Sequence, residues 1–356
     1  VLIELECNVT VVGRSEKTAA AFKESTLKEV VAGGLDSFLA TNDREFDAAI
    51  VAVGVEQLAV TTSALINAGF KTLLVEKPAG LYEHEIKSLC VIANENNALV
   101  AIAYNRRFFA SVLKAKQIIV KDGGVTSFNF EFTEWAHVFD TIEKKPGIKE
   151  NLLLVNSTHV IDLAFYLGGD PKTIACFAEG ELSWHKKAVF SGAGVTDANA
   201  LFSYQANWNA PGRWGVEILT NNSRLILRPM EQLQIQLKGQ VAITPVEIDD
   251  ELDKKFKPGL FEQTKQFWAY AVRTGMIDRP SDFINAVPHI SFVYGQEQVD
   301  FLKSRFEGMS AHPFFSEMEY TEDPDQIREW APLLMEGREG MPVAATRMKA
   351  GTDVNF

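Results

Sequence analysis

The run Val75-Glu76-Lys77-Pro78 closes a short apolar segment, residues 72–75. In an open α/β sheet, ligands bind beyond the carboxyl ends of the strands, so this pattern predicts Lys77 at the edge of a cofactor crevice. Pro78 favours extended geometry at Lys77 and ends the strand. A partly desolvated ammonium there can polarise a substrate hydroxyl, and its pKa is pulled down toward neutrality. The alternative is a surface lysine in a strand-to-helix loop.

His159 ends the run Asn156-Ser157-Thr158-His159, where a helix is predicted to begin. An imidazole titrates near neutral pH and can accept a hydroxyl proton while hydride leaves the carbon. The alternative is a helix-start histidine satisfied by backbone groups. Asn156 can hold a substrate hydroxyl but cannot act as a base. Asp162 faces the other way on the same turn and is predicted to pair or cap structurally.

Two further groups suggest ligand contacts. Arg14 and Ser15 follow an apolar run at 9–12. An arginine in this place suits a 2′-phosphate, which favours NADP over NAD, although a capping serine beside an exposed arginine is compatible with either. Trp208, with Arg213 and its neighbours, forms an aromatic and polar cluster suited to a sugar substrate. The alternative is ordinary loop and strand-edge residues, as also for Trp135, His137 and Lys149 in a long loop.

The composition bounds the class of protein. The 356 residues suffice for two ordinary domains, and the hydrophobic fraction of 46% is that of a globular protein. A net charge of −12 argues against nucleic acid or an anionic membrane as partner. Three scattered cysteines predict no metal site and favour a reducing compartment. Without a membrane-length apolar run or a signal peptide, the expectation is a cytoplasmic protein.

The order of patterns predicts an α/β fold. Apolar runs at 9–12, 47–53, 72–75 and 99–103 alternate with helical spacing, which is typical of βαβ units around a parallel sheet. After Tyr104, one helix (111–120) precedes strand-like runs at 125–132, 173–179, 198–207, 216–219, 224–227 and 233–237. These predict a mostly antiparallel, open sheet with one solvent-exposed face.

Residues 1–262 resemble the Gfo/Idh/MocA family of oxidoreductases. The matching pieces are the 47–53 run, Ala68-Gly69, Glu76-Lys77-Pro78, the run from Tyr104 to Phe108, and the run from His159 to Leu163. The resemblance implies a Rossmann domain, a second α/β domain whose sheet often forms a subunit interface, and hydride transfer between NAD(P) and a sugar or polyol. It implies a homo-oligomer.

The resemblance also implies residue roles. Lys77 and His159 would be catalytic. The cofactor would contact Val53, Gly54, Glu76, Lys77 and Asn105, together with Arg14 and Ser15. Asn156, Trp208 and Arg213 would face the substrate. Arg107 can equally be a structural arginine at the interdomain hinge.

Two departures from the family pattern are visible. The family commonly carries an aspartate four residues before the histidine, and here that position is Val155. No Gly-x-Gly-x-x-Gly turn precedes Val9, so residues 1–6 are interpreted as the tail of the first helix, and the first, central strand is predicted to be missing. Its loss would leave a gap in the parallel sheet unless another segment fills that slot.

From about Lys265 the chain instead resembles an internal piece of malate:quinone oxidoreductase, a flavoprotein. The matching stretches are 266–268, 283–293, 322–323, 329–338 and 351–356. The FAD-binding glycine fingerprint of that family is not present. A helix over 261–267 suits both families and is the predicted crossover. The segment is interpreted as a fused or mis-joined fragment of mixed helix and loop.

The predicted organisation is an incomplete Rossmann-like domain (1–105), an α+β substrate and oligomerisation domain (106–262), and the malate:quinone oxidoreductase-like fragment (263–356). Three functions remain: an NAD(P)-dependent sugar or polyol dehydrogenase, an FAD-dependent malate:quinone oxidoreductase, or a non-catalytic remnant of the first family.

Overall fold

A computed structural model describes residues 1–42 and 44–273 of the chain. Short strands alternate with helices in its first part. In chain order these elements are β1 (Val11–Val12), α1 (Glu16–Thr26), β2 (Val30–Val31), α2 (Gly34–Thr41), β3 (Ala49–Val51), α3 (Val55–Asn67), β4 (Thr72–Glu76), α4 (Glu83–Glu95) and β5 (Leu99–Ala103). The predicted alternation is confirmed, while β2 and α2 were not predicted.

The parallel sheet is divided into two. Strands β3, β4 and β5 form one parallel sheet, and β1 pairs with β2, also in parallel. Within the described residues no ladder joins β1 to β3, so the predicted gap is present. Ile50 of β3 is 44% exposed, as expected for an edge strand. Residues 1–6 form hydrogen-bonded turns, with Leu5 N donating to Val1 O at 3.0 Å, in place of the predicted helix tail.

The second part is built on an eight-stranded sheet. Its elements are α5 (Ala110–Lys121), β6 (Ser127–Glu131), α6 (Ala136–Thr141), α7 (Thr158–Gly168), β7 (Pro171–Glu179), β8 (Val189–Thr196), β9 (Leu201–Asn207), β10 (Gly215–Leu219), β11 (Ser223–Leu227), β12 (Gln234–Leu237), β13 (Thr244–Pro245), α8 (Glu251–Lys255) and α9 (Leu260–Arg273). The strand order is β13-β12-β11-β10-β6-β9-β8-β7, and only β6 and β9 pair in parallel. The mostly antiparallel sheet is confirmed, and β8 was not predicted.

Helix α7 lies against this sheet through a phenylalanine cluster. The ring of Phe165 meets those of Phe128, Phe130 and Phe202 at centroid distances of 5.0 to 5.8 Å. At Gly168 an added Cβ would stand 2.2 Å from Phe128, so only glycine allows the helix this close to the sheet. This aromatic packing holds α7 against the sheet, and α7 carries His159 in its first turn.

Helix α9 returns to the first part of the chain. Phe267 is 1% exposed and packs with Leu74, Ala101, Ala103 and Phe108. The predicted helix across 261–267 is therefore confirmed, and it closes the outer side of the β3–β4–β5 sheet. The other stretches that resemble malate:quinone oxidoreductase lie outside the described residues.

Candidate active site

Lys77 lies directly beyond the carboxyl end of β4. The strand is buried because Leu73, Leu74 and Val75 pack on both faces of the sheet, which places the lysine at the rim. Its ammonium donates a hydrogen bond to the main-chain carbonyl of Val155, and its main-chain N–H donates to Glu76 Oε2 at 3.2 Å. Burial lowers the pKa of Lys77 to about 7, with Arg106 assisting and Glu76 opposing. The predicted strand-end position is present.

His159 lies between two aromatic rings. Its imidazole centroid is 6.1 Å from the ring of Tyr104 and 6.0 Å from that of Trp214. Nδ1 is buried and has no hydrogen-bond partner among the described residues. Burial, followed by the positive charges of Lys77 and Arg106, holds the pKa of His159 well below its ordinary range. These effects favour the neutral form of the imidazole.

Glu134, which was not predicted from the sequence, is a buried carboxylate of this site. It follows β6 and is 1% exposed. Its Oε1 accepts a hydrogen bond from Ser157 Oγ at 2.7 Å, and its Oε2 accepts one from Asn156 Nδ2 at 3.0 Å. Burial raises the pKa of Glu134 to about 7, against the lowering effects of Ser157, Arg213, Asn156 and Lys77. An acidic residue just beyond a buried strand was the signal that could have revealed it.

The segment Val155-Asn156-Ser157 connects these groups. It lies in a π-helical turn, Leu153–Ser157, that leads into α7. The carbonyl of its first residue accepts from Lys77, while the side chains of the other two donate to Glu134. A buried carboxylate that follows β6 in the chain therefore contacts the two residues directly after Val155.

Two residues of the Tyr104–Phe108 run have structural partners. Asn105 donates from Nδ2 to the Pro258 carbonyl at 2.9 Å, which ties the segment before α9 to the end of β5. Arg107 donates to both oxygens of Asp162, from Nε at 2.8 Å and from a terminal nitrogen at 2.6 Å. The structural pairing predicted for Asp162 is confirmed. The cofactor role of Asn105 stays a prediction.

The residues predicted to contact the cofactor away from its nicotinamide ring lie at the carboxyl ends of β1 and β3. Arg14 is exposed, and Ser15 Oγ caps α1 by accepting from Thr18 N at 3.2 Å. Val53 is exposed and Gly54 directly precedes α3. An ammonium and an unpartnered buried imidazole fit the reacting end of a nicotinamide cofactor. For its pyrophosphate, the described residues provide no glycine-rich turn.

The predicted substrate residues separate into two places. Trp208 is 2% exposed, donates from Nε1 to the Phe132 carbonyl at 3.3 Å, and packs against His185 and Phe190. These are core contacts, and its substrate role stays a prediction. Arg213, in contrast, lies 4.9 Å from the ring centroid of Trp135 and 4.8 Å from that of Trp214.

Two features of other classes of site are absent from the described residues. Residues 1–42 and 44–273 contain no group of three or more His, Cys, Asp or Glu side chains arranged to hold a metal ion. In the same residues, no helix has the length and apolarity needed to cross a bilayer.

Solved structures with this architecture are Gfo/Idh/MocA-type NAD oxidoreductases. UDP-N-acetylglucosamine 3-dehydrogenase GnnA from Acidithiobacillus ferrooxidans matches with a TM-score of 0.61 and 16% identity, over 86% of this chain and 90% of that one. A levoglucosan dehydrogenase complex with NADH and levoglucosan matches with a TM-score of 0.62 and 16% identity, over 87% of this chain and 88% of that one. The dehydrogenase MviM from Clostridium difficile matches with a TM-score of 0.64 and 14% identity, over 86% of this chain and 91% of that one. The fold is that of Rossmann-type dehydrogenases.

The end of the chain matches a different family. Residues 250–356 match the family model described as malate:quinone oxidoreductase (Mqo). The probable malate:quinone oxidoreductase of Geobacillus sp. is 50% identical over 97 residues, which are 27% of this chain and 19% of that protein. Probable malate:quinone oxidoreductase 1 of Pseudomonas aeruginosa is 56% identical over 97 residues, 27% of this chain and 18% of that protein. The chain therefore spans about a fifth of the length of these curated relatives.

Proposed function

We propose that the chain is an NAD(P)-dependent dehydrogenase that transfers hydride between the cofactor and a hydroxyl-bearing carbon of a sugar, sugar derivative or polyol. The observation that carries this proposal is the convergence of Lys77, His159 and Glu134 at the carboxyl end of a parallel strand. The sugar dehydrogenases among the solved structures of the same fold support the substrate class.

Lys77 acts as the base in the oxidation direction. In its neutral form it accepts the hydroxyl proton while the C–H bond breaks and its electron pair leaves as hydride. A base works best when its pKa lies near the operating pH, and the pKa of Lys77 is lowered to about 7. The ammonium that forms stays beside the Val155 carbonyl and is stabilised by the charge of Glu134. In the reduction direction the same ammonium donates the proton.

His159 positions the hydroxyl in this scheme. Its pKa is held well below the ordinary range, so protonation of the ring is unfavourable and the neutral imidazole acts as a hydrogen-bonding group. This role differs from the base expected from the sequence. Bound NAD(P) would supply the hydride acceptor. The residues that would hold it are Glu76, Lys77 and Asn105 at the nicotinamide end, then Val53 and Gly54, and finally Arg14 and Ser15, where a guanidinium favours NADP.

The test is replacement of Lys77 by alanine. Turnover of a sugar and polyol panel should fall by about 10²- to 10⁴-fold, while NADPH should still quench the tryptophan fluorescence of the variant. Lys71→Ala is the matched control, because Lys71 is an exposed lysine just before the same strand. Unchanged turnover in Lys77→Ala, or no quenching by NADPH or NADH in the unaltered chain, would overturn the assignment.

The second candidate is FAD-dependent malate:quinone oxidoreduction. The match at residues 250–356 and the identity to curated relatives favour it. A flavin absorbance spectrum in the purified protein, with quinone reduction by malate, would support this activity. A colourless protein whose tryptophan fluorescence is quenched by NADPH would favour the first candidate. A protein with neither flavin absorbance nor quenching would be a non-catalytic remnant.

We infer that the protein is cytoplasmic and forms a homo-oligomer, with neither nucleic acid nor membrane as partner. The free cysteines support the compartment. The outer face of the eight-stranded sheet supports self-association, because Phe177 and Leu201 are 68% and 60% exposed on it. Phe177→Glu should reduce the mass measured by light scattering, whereas Val120→Glu, at an exposed site on α5, should not.

A further inference from the structure

Trp214 stands at the centre of a cationic cluster beside the proposed reaction site. Its ring is 6.0 Å from that of His159. The guanidinium carbons of Arg106 and Arg213 each lie 4.8 Å from the Trp214 ring centroid. These two arginines are therefore neighbours of the same ring. The charge of Arg106 acts on Lys77, and that of Arg213 acts on Glu134.

Aromatic stacking leaves the binding edges of both guanidinium groups unused. Arg106 is also held over Phe109, at 5.9 Å, and Arg213 over Trp135, at 4.9 Å. A ring contact occupies the flat face of a guanidinium, while its N–H donors project from the edge in the geometry that matches a carboxylate or phosphate. The aromatic residues thus orient both side chains without satisfying their donors.

The other arginines of this region are paired. Between residues 104 and 272 there are five arginines. Arg107 pairs with Asp162, Arg224 with Glu217 and Arg228 with Glu131. In the described part of the chain, the guanidinium groups of Arg106 and Arg213 have neither a hydrogen bond nor a carboxylate within ion-pair distance.

Two buried donors in the cluster also lack an acceptor. Arg106 Nε and Trp214 Nε1 are buried without a hydrogen-bond partner among the described residues. Buried donors are nearly always satisfied in folded proteins, and a buried tryptophan N–H usually finds a partner. Both groups are donors, so a ligand that satisfied them would have to supply acceptor atoms such as oxygen.

The local positive charge also favours an oxygen-rich, anionic ligand. Burial lowers the pKa of Arg106 to about 10, and repulsion from Arg213 assists, whereas Glu231, Glu134 and Glu76 act in the opposite direction without contacting it. Lys257 adds a further positive charge, which is felt by both Lys77 and His159. In a chain with a net charge of −12, this cluster of cations stands out.

We propose that the substrate carries an oxyanion group, a carboxylate or a phosphate, and that the guanidinium edges of Arg106 and Arg213 bind it beside Trp214. The proposal rests on the proposed function for the identity of the reacting hydroxyl, and it narrows the substrate from a neutral sugar or polyol to an acidic or phosphorylated one. The two arginines fix one end of the substrate, and Lys77 and His159 meet its hydroxyl at the other.

The test measures binding without turnover, by calorimetry and tryptophan fluorescence on the full chain without cofactor. The probes are D-glucuronate, D-glucose 6-phosphate and neutral D-glucose. At least one anionic probe should bind about 10-fold or more tightly than D-glucose and weaken as salt is added. Tighter binding of D-glucuronate identifies a carboxylate, and tighter binding of D-glucose 6-phosphate identifies a phosphate.

In Arg213→Gln and in Arg106→Gln the preference should fall below about 3-fold. Arg213 is exposed, so its variant tests binding without a loss of folding. Arg224→Gln, which removes an arginine paired outside the cluster, should keep the preference. Equal binding of all three probes, no binding of any, or a preference that survives in both variants would overturn the proposal. Because no cofactor is present, failure of hydride transfer would not produce any of these results.

Discussion

Lys77 donates a hydrogen bond from its ammonium to the main-chain carbonyl of Val155. This bond crosses 78 residues and joins the end of β4 to the turn that begins α7. Because the next two residues of that turn donate to Glu134, the lysine and the buried carboxylate share one backbone segment. Their protonation states are therefore expected to depend on each other.

The pH dependence of turnover should report this coupling. Oxidation requires neutral Lys77, so kcat/KM should rise with pH through about 7. The charge of Glu134 raises the pKa of Lys77, and Glu134→Gln should consequently move the midpoint to lower pH. A midpoint that stays in place, or moves to higher pH, would show that the charge of Glu134 does not raise the pKa of Lys77. Glu217→Gln, on β10, is the control and should leave the profile unchanged.

The stability of the protein should depend on Glu134 in a defined pH window. Its pKa rises from 4.5 to about 7 on folding, so between these values the native state holds a proton that the unfolded state has lost. Stability should therefore fall as pH rises from 4.5 to 7, by about 2 to 3 kcal/mol at most. Glu134→Gln should lose this slope in urea unfolding. An identical slope in both proteins would assign it to other groups.

The ion pair between Arg107 and Asp162 should be essential to the fold. Both side chains are 3% exposed, so Asp162→Asn leaves a buried guanidinium without its counter-charge. The free energy of unfolding should fall by about 3 to 5 kcal/mol. Lys23→Met breaks the exposed pair with Glu29 and should change it by about 1 kcal/mol or less. Comparable losses of unfolding free energy in the two variants would show that the buried pair matters no more to stability than the exposed one.

Phe267 should anchor α9 to the first part of the chain. Its ring packs with Leu74, Ala101, Ala103 and Phe108, so Phe267→Ala opens a cavity and should cost about 3 to 5 kcal/mol in chemical unfolding. Val120→Ala removes a largely exposed side chain and should cost about 0.5 kcal/mol or less. A small loss at Phe267 would indicate that this helix folds separately from the β3–β4–β5 sheet.

Periodicity predicted most of the parallel part, since buried runs such as residues 99–103 and 72–75 are strand-like over their whole length. Strand β8 escaped because Gly192 and Gly194 interrupt its pattern and are typical of a loop. In the structure an added Cβ would stand 2.2 Å from Tyr204 at the first position and 2.0 Å from the Thr173 carbonyl at the second. Glycine is required there by close packing, which only tertiary structure reveals.

Part of the site was also predictable from local sequence patterns. Lys77 and His159 lie at the ends of regular elements, where local sequence indicates position. Glu134 and Arg106 gain their chemistry from burial and from partners far along the chain. The orienting rings of Trp135 and Trp214 are likewise brought to Arg213 by loop packing, including a 3.0 Å hydrogen bond from Trp135 Nε1 to the Gly212 carbonyl.

The divided parallel sheet has a consequence for local unfolding. Because β2 is the one ladder partner of β1 within residues 1–42 and 44–273, the ladder amides of this pair can open while β4 remains closed between its two neighbours. Hydrogen exchange should therefore occur at a lower free energy in β1 and β2 than in β4. Arg14 and Ser15 belong to that weaker unit. Any nucleotide that they hold would order it on binding, and its affinity would be reduced by that cost.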